Sequence, residues 1–506
     1  MSAVADSTPV IVGVGQVSER VGEPGYAERS HMDLAGDALK AAFADAGAKR
    51  RLGPALDTLA AIRQFEISGT RYPAPFGCAN NPPRAIARRA GANPSRAILE
   101  VVGGQGPQRL VGELAAEIAA GRSKLAAVVG AEAISTVRAL MARGETRNWK
   151  EVRRGSIEDR GYGYDGVVDM TALRHGVGAP IGGYALAENV RRERLGLSLA
   201  DYRTEIGRLF APFTKVAAAN PHSAAPTERS VEELAALTER NRLVAEPYGR
   251  LVVARDQVNQ GAAIVIASAG EARRLGIPEE RWVHIHGVAD CAEPSLLTRA
   301  DMERSPAAVA AISSALEVSG IGWEKVDHTD LYSCFAIPVF NLLDAFGLDR
   351  DDPRGWTLTG GLPFFGGAGN NYSAHGIAEA VARCRAAPGT TALVGANGGI
   401  MSKYAAAVYS SAPADWSASR WRSLPKIEPA FPVIDAYDGE AEAETFTIQP
   451  GKHGEVATLV ARAEGARLCA NSTDPAICAA LRAGPVRGRR VRVESSDKGV
   501  NSFWLL

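Results

Sequence analysis

The sequence predicts an α/β protein built from a duplicated α/β unit, a helical insertion and a small C-terminal antiparallel β-barrel. Three observations predict this architecture. Strand and helix patterns alternate through the first quarter of the chain, and two segments recur in the same order about 265 to 273 residues further on. The last 80 or so residues consist of short β-rich runs separated by Gly, Asp and Pro.

The first unit opens with a Val/Ile strand that ends in glycine, followed by a helix that begins after Ser30. Asp33 stands three residues beyond Ser30, which is the spacing of a capping box, and Gly47 supplies the helix end. Apolar residues of this helix recur on one face, as expected for packing on a sheet. We expect the unit to comprise residues 1–138 and to be completed by 246–281.

The second unit repeats the first. AAFADAGA (41–48) is similar to SALEVSGI (314–321), and both have the form of a glycine-terminated helix end. AAVVGAEAIS (126–135) is similar to TALVGANGGI (391–400), and an Ala-rich helix pattern precedes each of these strands. The repetition predicts a second α/β unit over residues 282–411.

Two further segments differ from the repeats. Residues 139–245 carry more charge and contain helical patterns, so we expect an inserted helical domain. Residues 425–506 predict the barrel, in which only Asp474 to Arg482 has a helical pattern. This tail is rich in arginine, but it contains 10 basic and 11 acidic residues, which favours a solvated rim over a nucleic-acid surface.

Composition excludes several classes of function. The 506 residues carry 57 basic and 57 acidic side chains, so the chain has no electrostatic signature for nucleic acid or an anionic membrane. No apolar run approaches the ~20 residues that span a bilayer. The N-terminus lacks a basic region before its first apolar run, and the six cysteines show no metal-ligand spacing. We therefore expect a cytoplasmic protein without a metal site or membrane association.

Several segments together carry a family resemblance. GGYALAENVRR (182–192) and EPYGRLVVARDQVNQGAAIVIAS (246–268) are similar to the loop-domain helix and the following core strand of thiolases. VVGGQGPQRLVGELAAEI (101–118) and DLYSCFA (330–336) are similar to the nucleophile segment and to the HDCF-type loop of sterol-carrier-type thiolases. The chain resembles the thiolase superfamily and, more narrowly, the thiolase-like protein type 1 group with its added C-terminal barrel. The resemblance implies a layered αβαβα fold over about residues 8–411, with 139–245 as the loop domain.

The same resemblance implies altered chemistry. Thiolases use a cysteine at a helix N-terminus, an activating histidine and a second cysteine, because a thiolate needs a lowered pKa and a nearby base. Here Gly103 stands at the nucleophile position and Ala396 at the second cysteine. The histidine position falls on Gly367 or Asn370, depending on the register. Cysteine-based thiolysis and Claisen condensation are therefore predicted to be absent, although the family consists of acyltransferases of the acetyl-CoA acetyltransferase kind.

Some polar side chains remain near these positions. Tyr332 and Ser333 replace the His-Asp pair of the HDCF-type loop, and His375 lies in the first turn of the following helix pattern. Tyr332 and His375 are the candidate catalytic residues, with packing roles as the alternative for each. The candidate substrate-binding residues are Gly103, Asn370, Asn371, Gly398, Gly399, Arg147 and Arg153. The two arginines belong to a basic run that either binds phosphate or forms a solvated helix face.

Three functions are compatible with these residues. The protein binds a coenzyme A thioester with no tightly bound cofactor, or it is a retro-aldolase-type lyase that acts on a β-hydroxyacyl-CoA through Tyr332. The third possibility is a scaffold without small-molecule chemistry. An acyl-CoA connected with lipid metabolism is the expected partner, and either a monomer or a homodimer is expected.

Overall fold

The computed structural model describes residues 4–69, 74–164, 169–416 and 420–506. The first α/β unit forms as the alternating pattern predicts, and the Ser30–Asp33 capping box is present at its first helix. Its elements in chain order are β1 (Pro9–Ser18), α1 (His31–Asp45), β2 (Thr58–Ala61), α2 (Pro82–Arg89), β3 (Arg96–Leu99), α3 (Gly106–Ala119) and β4 (Leu125–Ala133).

Helices predominate in the segment between β4 and the next core strand. Its longest helix carries Pro212 and buries one apolar face. The elements are α4 (Ile134–Ala142), β5 (Glu158–Asp159), α5 (Met170–Arg174), α6 (Pro180–Arg194), α7 (Leu199–Ala219), α8 (Val231–Ala235), β6 (Leu243–Ala245) and β7 (Tyr248–Gly249).

The chain then returns to the core sheet and forms the second unit. Two elements complete the first unit, namely β8 (Asn259–Ser268) and α9 (Ala269–Leu275). The second unit consists of β9 (Val283–Ala292), α10 (Pro306–Ser319), β10 (His328–Asp330), α11 (Ile337–Phe346), α12 (Tyr372–Ala386), β11 (Thr391–Gly398) and β12 (Lys403–Ser410).

The predicted duplication is confirmed by the sheet. Its strand order is β10-β11-β12-β9-β1-β8-β4-β2-β3-β5, and the two units join where Val10 and Ile11 of β1 pair with the start of β9. In each unit the strand after the Ala-rich helix, β4 or β11, is parallel to one neighbour and antiparallel to the other. β13 (Trp421–Ser423) adds to β9 after the second unit ends.

The layers follow from three hydrophobic clusters. One cluster packs α1, α2 and α9 on the outer side of the first unit. A second packs α3 against α12 between the two units, and a third packs α10 and α11 on the outer side of the second unit. This is the predicted αβαβα order, and it brings the start of α3 beside the end of β11 and the loop after β10.

The C-terminal barrel is confirmed as a closed five-stranded unit with strand order β14-β15-β16-β18-β17. All of its strand pairs are antiparallel except the closing pair of β16 and β18, which is parallel. The last strand was not predicted from the sequence. Its elements are β14 (Gly439–Gly451), β15 (Gly454–Ala463), β16 (Ala466–Ser472), α13 (Pro475–Arg482), β17 (Arg490–Ser495) and β18 (Asn501–Leu505).

Arg467 forms a buried ion pair within the barrel and also joins the barrel to the body. Arg467 of β16 is fully buried and binds both carboxylate oxygens of Glu444, at 2.6 and 2.7 Å. Its guanidinium also donates to the main-chain oxygens of Leu297 and Arg299 in the body. Along the described ranges no helix is long and apolar enough to cross a bilayer.

Candidate functional site

A cavity of about 970 Å³ lies where α3, β11 and the loop after β10 meet α5 and α6. Its wall is mostly apolar, and glycines of the two units form much of the surface near α3. The predicted residues Gly103, Tyr332, Gly367, Asn370, Gly398 and Gly399 all line this cavity. Two distant parts of the sequence, the nucleophile segment and the segment after β11, therefore contribute to one site.

The start of α3 has no room for a side chain at the nucleophile position. Gly103 has a φ of +139°, and its N–H donates to Asn370 Oδ1 at 2.9 Å. A β-carbon on Gly103 would stand 2.1 Å from Gln105 Oε1. Gln105 is buried, and its Oε1 accepts no hydrogen bond from the described residues. The backbone conformation favours glycine here, and any side chain would also have to displace the Gln105 carboxamide.

Tyr332 places its hydroxyl against the backbone of Gly104. A β-carbon on Gly104 would stand 2.4 Å from the Tyr332 oxygen, so only glycine allows this approach. The Tyr372 ring packs edge-on against the Tyr332 ring at 5.2 Å between centroids. Burial, with a smaller contribution from Cys334, raises the pKa of Tyr332 well above its ordinary value. At neutral pH this hydroxyl is protonated and acts as a hydrogen-bond donor.

Cys334 also lines the cavity, two residues beyond Tyr332. Burial raises the pKa of its thiol to about 12, so it is protonated at neutral pH. The side-chain amide of Asn397 lies 3.8 Å from its sulfur and donates to the Tyr184 hydroxyl at 2.7 Å. Tyr184 in turn donates to the Gly399 main-chain oxygen at 2.8 Å. These contacts fix the wall without creating a thiolate.

The two adjacent asparagines have different surroundings. Asn370 lines the cavity, and its amide donates to the Arg63 main-chain oxygen at 2.6 Å while its Oδ1 accepts from Gly103. Asn371 is not among the lining residues, and its amide donates to the Gly130 main-chain oxygen of β4 at 2.7 Å. Asn370 thus ties the loop to the nucleophile position, whereas Asn371 joins α12 to the sheet. Gly367 and Asn370 both line the cavity, so lining does not decide which of the two stands at the histidine position of thiolases.

His375 lies away from the cavity. Its ring is fully buried, with Nδ1 2.7 Å from Gln16 Oε1 and an edge-on contact to Phe365. Burial lowers the pKa of His375 to about 3, so the ring is neutral. Ala396 is also buried, in β11 opposite Ala405 of β12, and does not line the cavity. The structure therefore separates His375 from Tyr332 and gives neither His375 nor Ala396 access to a ligand there.

The two predicted phosphate-binding arginines form ion pairs outside the lining of this cavity. Arg147 pairs with Glu28 at 2.6 Å and with Glu145 at 2.8 Å, and Arg153 pairs with Glu151. Neither arginine lines the cavity. Both are held in ion pairs, which argues against phosphate binding, and the segment lies between α4 and β5 and forms no helix face.

Sequence reasoning missed several charged residues of the wall. Lys403, Asp169 and Asp256 line the cavity, and Lys403 Nζ donates to the main-chain oxygens of Val102 and Gly163 at 3.1 and 2.5 Å. Lys403 follows the Gly398–Gly399 pair closely, which is the one signal that could have identified it. Asp256 lies within the segment 246–268, and no motif or spacing marks either aspartate as part of a site.

The known proteins that resemble this chain are found among solved structures. No protein-family model matches the chain, and no curated protein sequence does so. A crystal structure of a monomeric SCP2-thiolase-like protein type 1 from Mycobacterium smegmatis is 43% identical, covers 100% of both chains and has a TM-score of 0.84.

More distant structures share the fold. The Ltp2–ChsH2(DUF35) aldolase is 20% identical, covers 80% of this chain and 98% of its own, and has a TM-score of 0.58. Acetyl-CoA acetyltransferase from Syntrophomonas wolfei is 18% identical, covers 80% and 99%, and has a TM-score of 0.55. The SCP2-thiolase-like structure matches the whole chain, including the C-terminal barrel, whereas the two more distant structures match 80% of it.

Proposed function

The chain belongs to the SCP2-thiolase-like protein type 1 family, and we propose that it binds a coenzyme A thioester, or the pantetheine arm of one, without thiolysis or Claisen condensation. The ligand occupies the cavity beside the start of α3. The thioester end lies near Gly103 and Gly104, and the acyl chain lies along the apolar wall.

The size and lining of the cavity carry this proposal. A volume of about 970 Å³ falls at the upper end of small-molecule sites, and an apolar wall with a few polar groups is typical of them. Leu186, Leu296 and Phe335 contribute apolar surface, while the Tyr332 hydroxyl is a donor for a carbonyl oxygen. Such a site suits an elongated ligand with one polar end.

The groups near the start of α3 support binding without an acyl-enzyme. Gly103 has no side chain, and the raised pKa of Cys334 keeps the nearby thiol protonated. His375, a neutral base by its pKa, lies outside the cavity. A cysteine nucleophile needs a thiolate and an activating base. The described lining contains no histidine, and its two carboxylates are engaged, Asp169 with the N–H groups that begin α5 and Asp256 with Arg138.

A thermal-shift panel of coenzyme A and acyl-CoA esters tests the proposal. Binding to the folded state raises the melting temperature with ligand concentration. Ala172 lines the cavity on α5 and is partly exposed, so Ala172→Trp should fill the site and abolish the shift. Ala200→Trp places the same side chain on exposed α7 and should leave the shift intact. No shift with any ester would contradict the proposal.

A second candidate rests on the Tyr332 hydroxyl, which has no hydrogen-bond partner among the described residues. In a retro-aldol cleavage of a β-hydroxyacyl-CoA, the bond between the α- and β-carbons breaks, water takes the β-hydroxyl proton, and this hydroxyl would donate to the developing enolate oxygen. The enolate α-carbon then takes up a proton to give the shortened acyl-CoA. Release of an aldehyde by the wild type, lowered by roughly 10²–10³ in Tyr332→Phe, would favour this lyase. Equal rates, or no aldehyde from either protein, would leave the binding function alone.

A further inference from the structure

A second, polar cleft of about 450 Å³ lies apart from the cavity wall described above. It forms between the end of β1, helix α4, the 222–224 loop and the segment that leads into β8. Arg255 lines this cleft, whereas its neighbours Ala254 and Asp256 line the main cavity. The segment before β8 therefore separates two sites.

The carboxylates of the cleft are already engaged. Glu19 accepts from the N–H groups of Ala27 and Arg29, at 3.1 and 2.9 Å, and Glu23 pairs with Arg20 at 2.7 Å. The neighbouring Asp256 pairs with Arg138 at 2.7 Å. None of these acids is close enough to Arg255 to form an ion pair.

Arg255 is the cation without a counterion in this cleft. Its partly buried side chain makes no ion pair or hydrogen bond with the described residues. Burial, followed by the charges of Arg250 and Arg229, lowers the pKa of Arg255, which is still protonated at neutral pH. The guanidinium remains accessible from the cleft, so an anion that enters the cleft can pair with it.

Other polar groups in the cleft define the chemistry of that anion. Neither the Ser135 hydroxyl nor the Gln257 amide has a partner in the described ranges, and both groups can donate. Anionic oxygens of a ligand in the cleft can accept from the Arg255 guanidinium, the Ser135 hydroxyl and the Gln257 amide. Inorganic phosphate and a ribose 3′-phosphate each offer three such oxygens, whereas a simple carboxylate offers two.

We propose that this cleft is a phosphate-binding site in which Arg255 is the charged partner. The guanidinium fork matches two phosphate oxygens, and Ser135 and Gln257 provide further donors. Free phosphate and the 3′-phosphate of coenzyme A share this chemistry. The site does not depend on thioester binding in the main cavity.

Calorimetric titration with inorganic phosphate at constant ionic strength tests the site. The wild type should show saturable binding, and Arg255→Gln should weaken it at least tenfold. Arg255→Lys, which keeps the charge and loses the fork, should give an intermediate affinity. Arg88→Gln removes an exposed arginine on α2 and should keep the wild-type affinity.

Competition then identifies the source of the phosphate. Displacement by coenzyme A and not by dephospho-CoA assigns the site to the 3′-phosphate, and displacement by neither assigns it to a free anion. Absence of saturable phosphate binding, or equal affinities in the wild type and Arg255→Gln, would overturn the proposal. Acyl-CoA thermal shifts of Arg255→Gln, measured in parallel, show separately whether the main cavity still binds its ligand.

Discussion

The Gln105 carboxamide occupies the space that a side chain on Gly103 would need. Its Oε1 lies 2.1 Å from the ideal β-carbon position on Gly103 and 1.9 Å from that on Gly398. One side chain thus fills the gap between the nucleophile position and the end of β11. Gln105 therefore fills the space that a side chain at position 103 would enter.

Restoring the cysteine should not restore thiolase chemistry. Gly103→Cys places a β-carbon in a strained backbone conformation and against Gln105, and the thiol would still lack a base. The double variant Gly103→Cys/Gln105→Ser relieves the contact with Gln105 and should also be inactive. The assay is coenzyme A-dependent loss of the acetoacetyl-CoA enolate absorbance, compared with heat-killed protein. Loss above that control, by the wild type or either variant, would refute this account of the site.

Cys334 should react slowly with iodoacetamide. Burial raises the pKa of its thiol to about 12, so the thiolate is scarce at pH 7–9. Peptide mass spectrometry after labelling at pH 8 should show little modification at Cys334 in the native protein and full modification after denaturation. Rapid native labelling would show that the thiol is activated, and a nucleophilic role would then need reconsideration.

The barrel should depend strongly on Arg467. Removing one member of a buried ion pair leaves an uncompensated charge, so Arg467→Ala should lower the free energy of unfolding by about 3 kcal/mol. Arg490 is an exposed arginine of the same barrel and pairs with Glu440. Arg490→Ala should change the free energy of unfolding by less than about 1 kcal/mol. Denaturant unfolding followed by tryptophan fluorescence measures both. Equal stability of the two variants would contradict the anchoring role.

His175 should make the junction of α5 and the barrel sensitive to acid. Its Nδ1 donates to the Thr171 main-chain oxygen at 2.7 Å, and its Nε2 accepts from the Asn501 N–H at 2.9 Å. Burial is the main cause that lowers the pKa of His175. The folded state keeps this ring neutral. Its contribution to the free energy of unfolding is therefore complete above about pH 6.5, and it is lost as the pH falls from there towards the lowered pKa of His175 in the folded state.

Free energies of unfolding measured at pH 7.5 and 5.5 test whether acid destabilises the protein through His175. The wild type should lose more stability on acidification than His175→Gln, because the variant lacks the titrating ring. His453→Gln replaces an exposed histidine of the β14–β15 turn and should keep the wild-type pH dependence. An unchanged pH dependence in His175→Gln would show that protonation of this ring does not oppose folding.

The sequence predicted the layers well because both repeated segments carry their own periodicity. The Ser30 cap and the glycine-ended helices are local signals, so each copy could be recognised without the other. β5 is only two residues long, and β18 buries Asn501 and exposes Trp504, so neither shows the apolar alternation of a half-buried strand. Short strands of this kind depend on tertiary pairing.

The site was predicted less completely because orientation is not a sequence property. Asn370 and Asn371 are neighbours, yet only the first reaches the cavity. His375 follows one turn later on α12 and points to Gln16 instead. Arg147 is neutralised by Glu28, which lies 119 residues earlier in the chain, and sequence patterns do not reveal such a pairing.

A crystal structure with a bound acyl-CoA tests the central claim most directly. The account predicts an intact thioester in the cavity, its carbonyl oxygen within hydrogen-bond distance of the Tyr332 hydroxyl and its acyl chain against Leu186 and Leu296. An empty cavity at saturating ligand, or a cleaved thioester with an acylated protein side chain, would contradict it.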